Sequence, residues 1–207
     1  MVSLRRFKVE TIDLYQIHWP DPEADLDEAW EAIDRLKANG STLGRGLSTM
    51  GRSGRLAAKG QVTSLQPPYS IISPEAEAEL LPACGQARMG VIVYSPMKSG
   101  LLTGKMTRER VAAMPEDDFR KGKAQFQEPN LSRNLTLADL LKAIGARHGR
   151  TVGEAAIAWC LRQPQVTGAI VGIRSAAQVG GVAEAATFRL SPEEVGEIAR
   201  SMEGHPA

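Results

Sequence analysis

The chain has 207 residues and a mass of 22.3 kDa, which is enough for one domain with a sizeable core. Its 25 Lys and Arg residues nearly balance 24 Asp and Glu residues, so the charge offers no strongly basic surface to nucleic acid or an anionic membrane. No apolar run approaches the roughly 18 residues of a membrane span, and no apolar segment follows the basic residues near the start. We therefore expect a soluble, cytoplasmic protein. Cys84 and Cys160 fall in helical patterns, which favours reduced core thiols over a disulfide or a metal site.

The first half of the chain predicts strands that alternate with helices. Residues 12–18 alternate apolar and polar side chains and predict a strand. Asp25 and Glu28 form a capping-box pattern that starts a helix, and Asn39-Gly40 ends it. Residues 51–59 predict at most a short or frayed helix, because glycine is costly in a helix interior. Further short apolar segments predict strands at 43–48, 61–66, 90–95 and 168–172.

Three later helices carry their own start signals. Ser73-Pro74 places a capping serine before a proline at the first helical position, while Thr151–Glu154 and Ser191–Glu194 fit the capping box. Helical periodicity also predicts helices at 136–148, 152–163 and 176–186. Residues 104–134 have no sustained period and predict a long surface excursion, of the kind found in functional lids or disordered segments.

Alternating strands and helices imply a parallel sheet with helices outside it, either a β/α barrel or a doubly wound sheet. The barrel is favoured, because the sequence has no Gly-x-Gly-x-x-Gly turn after a strand and no phosphate-binding Gly-x-x-x-x-Gly-Lys-Ser/Thr motif. In such barrels the functional side chains lie at the carboxyl ends of the strands. Here those ends are His18, Ser48 and residues 66–69, 94–99 and 172–174.

Four motifs stand at these strand ends, in this order along the chain. They are Ile12-Asp-Leu-Tyr-Gln-Ile-His-Trp-Pro20, Ser64-Leu-Gln-Pro-Pro-Tyr-Ser70, Tyr94-Ser-Pro-Met-Lys-Ser-Gly-Leu-Leu-Thr-Gly-Lys105 and Ala169-Ile-Val-Gly-Ile-Arg174. Together they resemble the aldo-keto reductase family. The resemblance implies a TIM-type (β/α)8 barrel, NADPH bound in an extended pose, and reduction of aldehydes or ketones by hydride transfer. We expect residues 1–207 to form one partial-barrel domain of that kind.

The resemblance gives His18 the role of the catalytic histidine, which hydrogen-bonds the substrate carbonyl and orients it toward the nicotinamide. Ser48 and Gln66 match the contacts to the nicotinamide carboxamide, and Tyr94 matches the aromatic side chain that stacks on the nicotinamide ring. Thr49 stands where the family usually has Asn, which weakens one carboxamide contact. Without the motifs, these residues would be read as a structural histidine, ordinary strand caps and a core tyrosine.

The resemblance also implies the residues that bind the rest of the cofactor. The loop expected to close over the pyrophosphate contributes Ser95, Pro96, Met97, Ser99, Leu101 and Lys105. Gly172, Arg174 and Gln178 match the adenosine end, where an arginine favours a 2′-phosphate and hence NADPH over NADH. Val182 stands where the family often has Asn. Plain surface turns are the alternative for both segments, and no metal is implied.

The resemblance begins in the middle of the family's pattern, because residues 3–6 look like the end of the third barrel helix. We therefore expect an N-terminally truncated barrel that lacks about the first three β/α units. The family's Asp, proton-donating Tyr and Lys have no match in this chain. Tyr15 cannot replace the acid, because it lies three residues before His18 and on the opposite face of the strand. General acid catalysis contributes about 10² to 10⁴ in rate, so we expect a weak or inactive reductase.

Three hypotheses remain open from the sequence. The chain is an NADPH-dependent carbonyl reductase, a non-catalytic NADPH-binding or subunit-interaction protein derived from the same barrel, or an inert remnant, as the glycine-rich residues 44–54 suggest. We expect a small-molecule carbonyl substrate and neither a nucleic-acid nor a membrane partner. Open barrel edges at residues 12 and 168 predict low independent stability, homo-oligomer formation or pairing with another chain.

Overall fold

The computed structural model describes residues 2–18, 23–47 and 62–203. Within them, five strands form one sheet in the order β1-β2-β3-β4-β5. The strands are β1 (Ile12–Ile17), β2 (Thr42–Leu47), β3 (Ser64–Leu65), β4 (Gly90–Tyr94) and β5 (Val166–Ile170). The neighbouring pairs from β1 to β4 are parallel. The predicted segments at 12–18, 43–48, 61–66, 90–95 and 168–172 therefore all contain strands, although only two residues of the third segment pair.

Helices follow most of the strands. They are α1 (Val2–Phe7), α2 (Glu23–Ala38), α3 (Leu80–Gln86), α4 (Arg108–Ala112), α5 (Asn130–Arg147), α6 (Val152–Leu161), α7 (Ala176–Ala183) and α8 (Pro192–Met202). Short 3₁₀ turns lie at Glu75–Glu77, Lys98–Thr103, Ala124–Phe126 and Glu184–Ala186. The weak helix predicted at 51–59 falls outside the described residues. In the part of the chain that is described, no helix is long and apolar enough to cross a membrane.

The chain divides into two compact units. The first comprises Met1–Pro67 and Glu77–Ile92, and the second comprises Pro68–Ala76 and Val93–Ala207. In the first unit α2 buries Trp30 and Ile33, while β3 and β4 bury Leu65 and Val91. Arg45 of β2 is buried as well, because its guanidinium lies 4.6 Å from the centre of the Trp30 ring and pairs with Asp34. Arg45 therefore links the helix-covered face of the sheet to α2.

The second unit is built around α6, whose residues Val152–Cys160 are all buried. A helix that is apolar on every side needs neighbours all round it, and α5 supplies Leu137, Leu141 and Ile144 to the same core. The capping box predicted at Thr151–Glu154 is confirmed, with the Thr151 amide donating to Glu154 at 2.8 Å. The second predicted box, at Ser191–Glu194, is also present at the start of α8.

The helix start predicted at Ser73-Pro74 is wrong. Ser73 pairs antiparallel with Ser70 through two backbone hydrogen bonds of 3.0 and 3.2 Å, so its main chain is committed to a tight turn rather than to a cap. A 3₁₀ turn at Glu75–Glu77 follows, and α3 begins only at Leu80, without a side-chain cap. The competing contact is local, because it joins residues only three apart, and it uses both the amide and the carbonyl of Ser73.

Residues 104–134 are ordered and carry a small apolar core of their own. Thr107 caps α4, and the cluster joins Leu101, Met106, Met114, Phe126 and Leu131. The last of these residues lies in α5, which begins at Asn130 rather than at 136. Periodicity could not reveal this core, because its apolar residues are spread through an irregular segment and meet only in three dimensions.

Candidate functional site

The strand register of the first unit places two predicted site residues at one edge of the sheet. Ile17 pairs with Leu47, and Leu47 pairs with Leu65. His18 and Gln66 come directly after Ile17 and Leu65, so both stand at the carboxyl ends of parallel strands. His18 is exposed and Gln66 is half-buried. The predicted carboxamide contact Ser48, together with Thr49, lies outside the described residues.

A row of polar side chains leads across this sheet to Gln66. The Gln16 Nε2 group donates to Ser64 Oγ at 3.0 Å, and Gln66 Nε2 donates to Gln16 Oε1 at 3.4 Å. Sequence reasoning assigned no role to Gln16 or to Ser64. The available signal was alternation, since residues two apart in a strand share a face and Gln16 precedes His18 by two positions.

Tyr94 ends β4 in the second unit and is half-buried. The Tyr94 carbonyl accepts a hydrogen bond from the Tyr69 amide at 3.2 Å. This bond holds the main chain in place where the turn after β4 begins. Tyr69 itself is not available to a ligand. It is fully buried, its hydroxyl accepts from Arg162 at 2.7 Å, and its ring lies 5.3 Å from that of Trp159.

The turn after Tyr94 contains an unusual run of left-handed backbone. Ser95, Lys98 and Ser99 have φ values of 58°, 42° and 53°, and Gly100 follows with 91°. For residues other than glycine this conformation costs about 1–2 kcal/mol, so contacts with the surrounding structure must stabilise it. Amides of this turn bond back to it, from Lys98 to the Ser95 carbonyl at 3.0 Å and from Gly100 to the Met97 carbonyl at 3.1 Å.

Burial separates the predicted pyrophosphate residues into two groups. Ser95 and Met97 are half-buried, and Ser99 and Lys105 are exposed. Pro96 is buried, and Leu101 is fully buried in the apolar cluster, so neither side chain is open to a ligand. The exposed and half-buried residues are thus the ones whose side chains can reach an anion.

Lys98 is a cation in this turn that the motif comparison did not assign. Its side chain is half-buried, and this burial lowers the pKa of its ammonium group. The negative charge of Glu75 opposes the pKa shift, and the positive charge of Lys123 adds to it. The turn therefore combines hydroxyl groups, strained main chain and a partly desolvated cation.

The predicted adenosine-binding residues follow β5 in the second unit. Gly172, Arg174 and Gln178 are all exposed. The structure brings the last two together, because the Arg174 amide donates to Gln178 Oε1 at 2.7 Å at the start of α7. Gln178 therefore orders the main chain that carries the Arg174 guanidinium.

Among residues 2–18, 23–47 and 62–203, no group of three His, Cys, Asp or Glu side chains is arranged to hold a metal ion. Cys84 and Cys160 are both buried, and they form no disulfide with each other. The chemistry available at the predicted site residues is thus that of an imidazole, amides, hydroxyls and cations.

Comparison with known proteins gives the family. The Aldo/keto reductase family model matches residues 1–203, and the chain belongs to this family. Members of the family are oxidoreductases that act on carbonyl compounds.

Individual relatives agree with the family assignment. Aldo-keto reductase YhdN of Bacillus subtilis (strain 168) is 32% identical over 199 residues, which cover 95% of this chain and 60% of that protein. The NADH-specific methylglyoxal reductase of Escherichia coli (strain K12) is 29% identical over 209 residues, covering 97% of this chain and 63% of that protein.

The structure of the glycerol dehydrogenase AKR11B4 from Gluconobacter oxydans superposes with a TM-score of 0.89 at 32% identity, over 98% of this chain and 62% of that one. The expected fold class is confirmed as a parallel α/β sheet of the TIM-barrel type, present here as an open sheet within the described residues. The chain spans about three fifths of the length of these relatives, from 60% to 63%.

Proposed function

We propose that this chain carries the cofactor-binding part of an NADPH-dependent aldo-keto reductase that reduces a small aldehyde or ketone. The observation that carries the proposal is the register of β1, β2 and β3, which sets His18 and Gln66 at the same carboxyl edge. An imidazole there can hydrogen-bond a carbonyl oxygen, and a primary amide can pair with the nicotinamide carboxamide. Bound NADPH supplies the hydride.

In this proposal Gln66 and Ser48 hold the carboxamide, and Tyr94 covers one face of the nicotinamide ring. The turn at 95–105 would bind the pyrophosphate through Ser95, Ser99, Lys105 and main-chain groups. Two hydroxyl groups and an exposed ammonium group on one glycine-bearing turn suit an anion. Arg174 and Gln178, with Gly172, would bind the adenosine end.

Arg174 supports the preference for NADPH, because an exposed guanidinium on an ordered turn can pair with a 2′-phosphate through two hydrogen bonds. One relative is named as NADH-specific, so NADH is the cofactor against which the preference is compared. Substitution of Arg174 therefore tests whether the chain prefers NADPH to NADH.

The test is calorimetric titration of the 207-residue chain with NADPH and with NADH. Arg174→Ala is expected to weaken NADPH binding by about tenfold or more and to leave NADH binding within about twofold, because a charge-assisted pair contributes roughly 1.5–3 kcal/mol. Arg200→Ala, at an exposed arginine of α8, is the matched control and should change neither. Equal loss for both cofactors would contradict the assignment of Arg174 to the 2′-phosphate.

A second candidate is a non-catalytic NADPH-binding protein, and the placement of the tyrosines favours it. The chain has 3 tyrosines. Tyr15 lies opposite Arg45 on the helix side of the sheet, and Tyr69 is buried against Arg162. Tyr94 is assigned to the nicotinamide ring, so no phenol is left to protonate the carbonyl.

NADPH oxidation with a panel of aldehydes and ketones separates the two candidates. The reductase predicts oxidation that depends on added carbonyl, at a low rate. The binding protein predicts saturable NADPH binding with no such oxidation.

We also propose that the chain is one partial-barrel domain, that it acts in the cytoplasm, and that two copies associate through the exposed edge of β1. Large apolar side chains are exposed on this unit at Phe7, Val9 and Leu43, and unpaired strand edges favour pairing. Light scattering should give a molar mass about twice that of the chain, and a monomer at all concentrations would contradict the association.

A further inference from the structure

Gln16 connects the strand that carries His18 to the strand that carries Gln66. Its amide nitrogen donates to Ser64 Oγ at 3.0 Å, and its amide oxygen accepts from Gln66 Nε2 at 3.4 Å. Ser64 is buried, and Gln16 and Gln66 are half-buried, so these bonds form in a partly desolvated setting where they are stronger than in water.

Gly46 creates the space for this connection. In the register, Gly46 lies between Gln16 on one side and Ser64 on the other. A Cβ atom at position 46 would lie 2.9 Å from Gln16 Nε2 and closer still to Ser64 Oγ. Any side chain there would displace the Gln16 amide, so glycine lets a β1 side chain reach across β2 to β3.

In the arrangement of the structure, Gln16 turns its NH₂ group toward Ser64 and its Oε1 atom toward Gln66. Because Gln16 Oε1 can only accept, Gln66 must turn its NH₂ group toward Gln16. Its Oε1 atom then points away from Gln16 and can accept a hydrogen bond from a ligand. Rotation of Gln66 alone would place two amide oxygens against each other, so the orientation of Gln66 follows that of Gln16.

We infer that Gln16 is a positioning residue, which holds the Gln66 amide so that its oxygen accepts an N–H of the nicotinamide carboxamide. The inference rests on the proposed function, because it takes Gln66 as the carboxamide contact. It adds a residue that no motif assigned, and it states which atom of Gln66 binds.

The experiment compares NADPH with its reduced 3-acetylpyridine analogue, in which a methyl group replaces the carboxamide NH₂. The analogue keeps the carbonyl, the pyrophosphate and the adenosine but has no N–H to donate. The 207-residue chain is expected to bind NADPH about tenfold more tightly than the analogue, as one buried hydrogen bond allows.

Gln16→Leu is expected to reduce that discrimination to within about twofold, by weakening NADPH binding while leaving the analogue unchanged. Gln16→Glu retains an acceptor for Gln66 Nε2 and should keep the discrimination. Ser64→Ala, which removes only the far partner of Gln16, should give an intermediate value. Gln86→Leu, at an exposed glutamine of α3, is the matched control and should behave as wild type.

Thermal unfolding of each variant accompanies the titrations. A purely structural role for Gln16 predicts equal weakening of NADPH and analogue, and that result, or unchanged discrimination in Gln16→Leu, would overturn the inference. If Gln16→Leu does not fold, the same decision is made on Ser64→Ala, where unchanged discrimination overturns it. Wild-type protein that binds neither ligand would overturn the proposed function itself, and the positioning role with it.

Discussion

Arg45 shows how one side chain joins the sheet and helix layers of the first unit. Only 7% of its side chain is exposed, and it pairs with Asp34 while lying against the Trp30 ring. Burying a guanidinium is costly unless a carboxylate and a polarisable surface replace its water. The residue therefore contributes to stability through its partners, and removal of the cation leaves Asp34 beside an apolar surface.

Arg45→Ala is expected to lower the free energy of unfolding by about 3 kcal/mol, because it opens a cavity against Trp30 and removes a buried guanidinium from its half-exposed partner Asp34. Urea unfolding measures the change. Arg35→Ala is the matched control, since its guanidinium is 69% exposed and pairs with Glu31 at 3.9 Å, and it should cost less than about 0.5 kcal/mol. Similar losses in the two variants would contradict the role given to burial.

At this scale the sequence predicts strand-end residues well and their partners poorly. His18 and Gln66 follow alternating apolar segments, so local pattern places both at the ends of strands. The contact between Gln16 and Ser64 depends on which strands pair, on their register and on the missing side chain at Gly46. None of these three conditions is local in sequence.

A buried carboxylate, that of Glu194, attaches helix α8 to helix α5. Glu194, in the capping box of α8, accepts from the His148 ring at 2.7 Å at the C-terminal end of α5. The neighbouring Arg147 pairs with Glu197 through two hydrogen bonds of 3.0 Å. Burial raises the pKa of Glu194, but the hydrogen bonds from Ser191 and His148 and the nearby positive charges outweigh it, so the net pKa is lowered.

A lowered pKa in the folded state means that ionised Glu194 stabilises the fold above its ordinary pKa, and that this contribution is lost as the pH falls through the lowered value. Glu194→Gln is therefore expected to cost about 2 kcal/mol at pH 7 and progressively less below about pH 4. Urea unfolding of wild type and variant at a series of pH values gives this difference. Glu203→Gln, at the exposed end of the same segment, is the control. A difference independent of pH would contradict the account.

Helix starts show which element boundaries local sequence determines. The boxes at Thr151 and Ser191 form as predicted, because both bonds of a capping box join residues three apart. Ser73 does not start a helix, because its main chain pairs with Ser70 instead. The capping box predicted at Asp25 and Glu28 is wrong as a helix start, because α2 begins two residues earlier, at Glu23. Local signals therefore determine some helix starts but not all of them.

For the whole molecule, alternation of strands and helices predicted a parallel sheet with helices outside it, and the choice of the barrel class also needed the missing nucleotide-binding motifs and the family resemblance. Alternation could not predict that residues 104–134 form a defined structure. Met106, Met114 and Phe126 pack in the apolar cluster of this segment, although they lie in irregular chain. The chain spans about three fifths of its relatives' length, 60% of one of them, and the family model matches it along residues 1–203.

We expect the strand-end residues and the strained turn to bind a nicotinamide cofactor, and amide hydrogen exchange with and without NADPH measures where that binding occurs. The account predicts slower exchange on NADPH addition in residues 16–18, 64–66, 94–105 and 172–178, with α8 unchanged. Arg174→Ala should reduce the protection at 172–178. Saturating NADPH that protects none of these segments, or protects only segments elsewhere in the chain, would contradict the account.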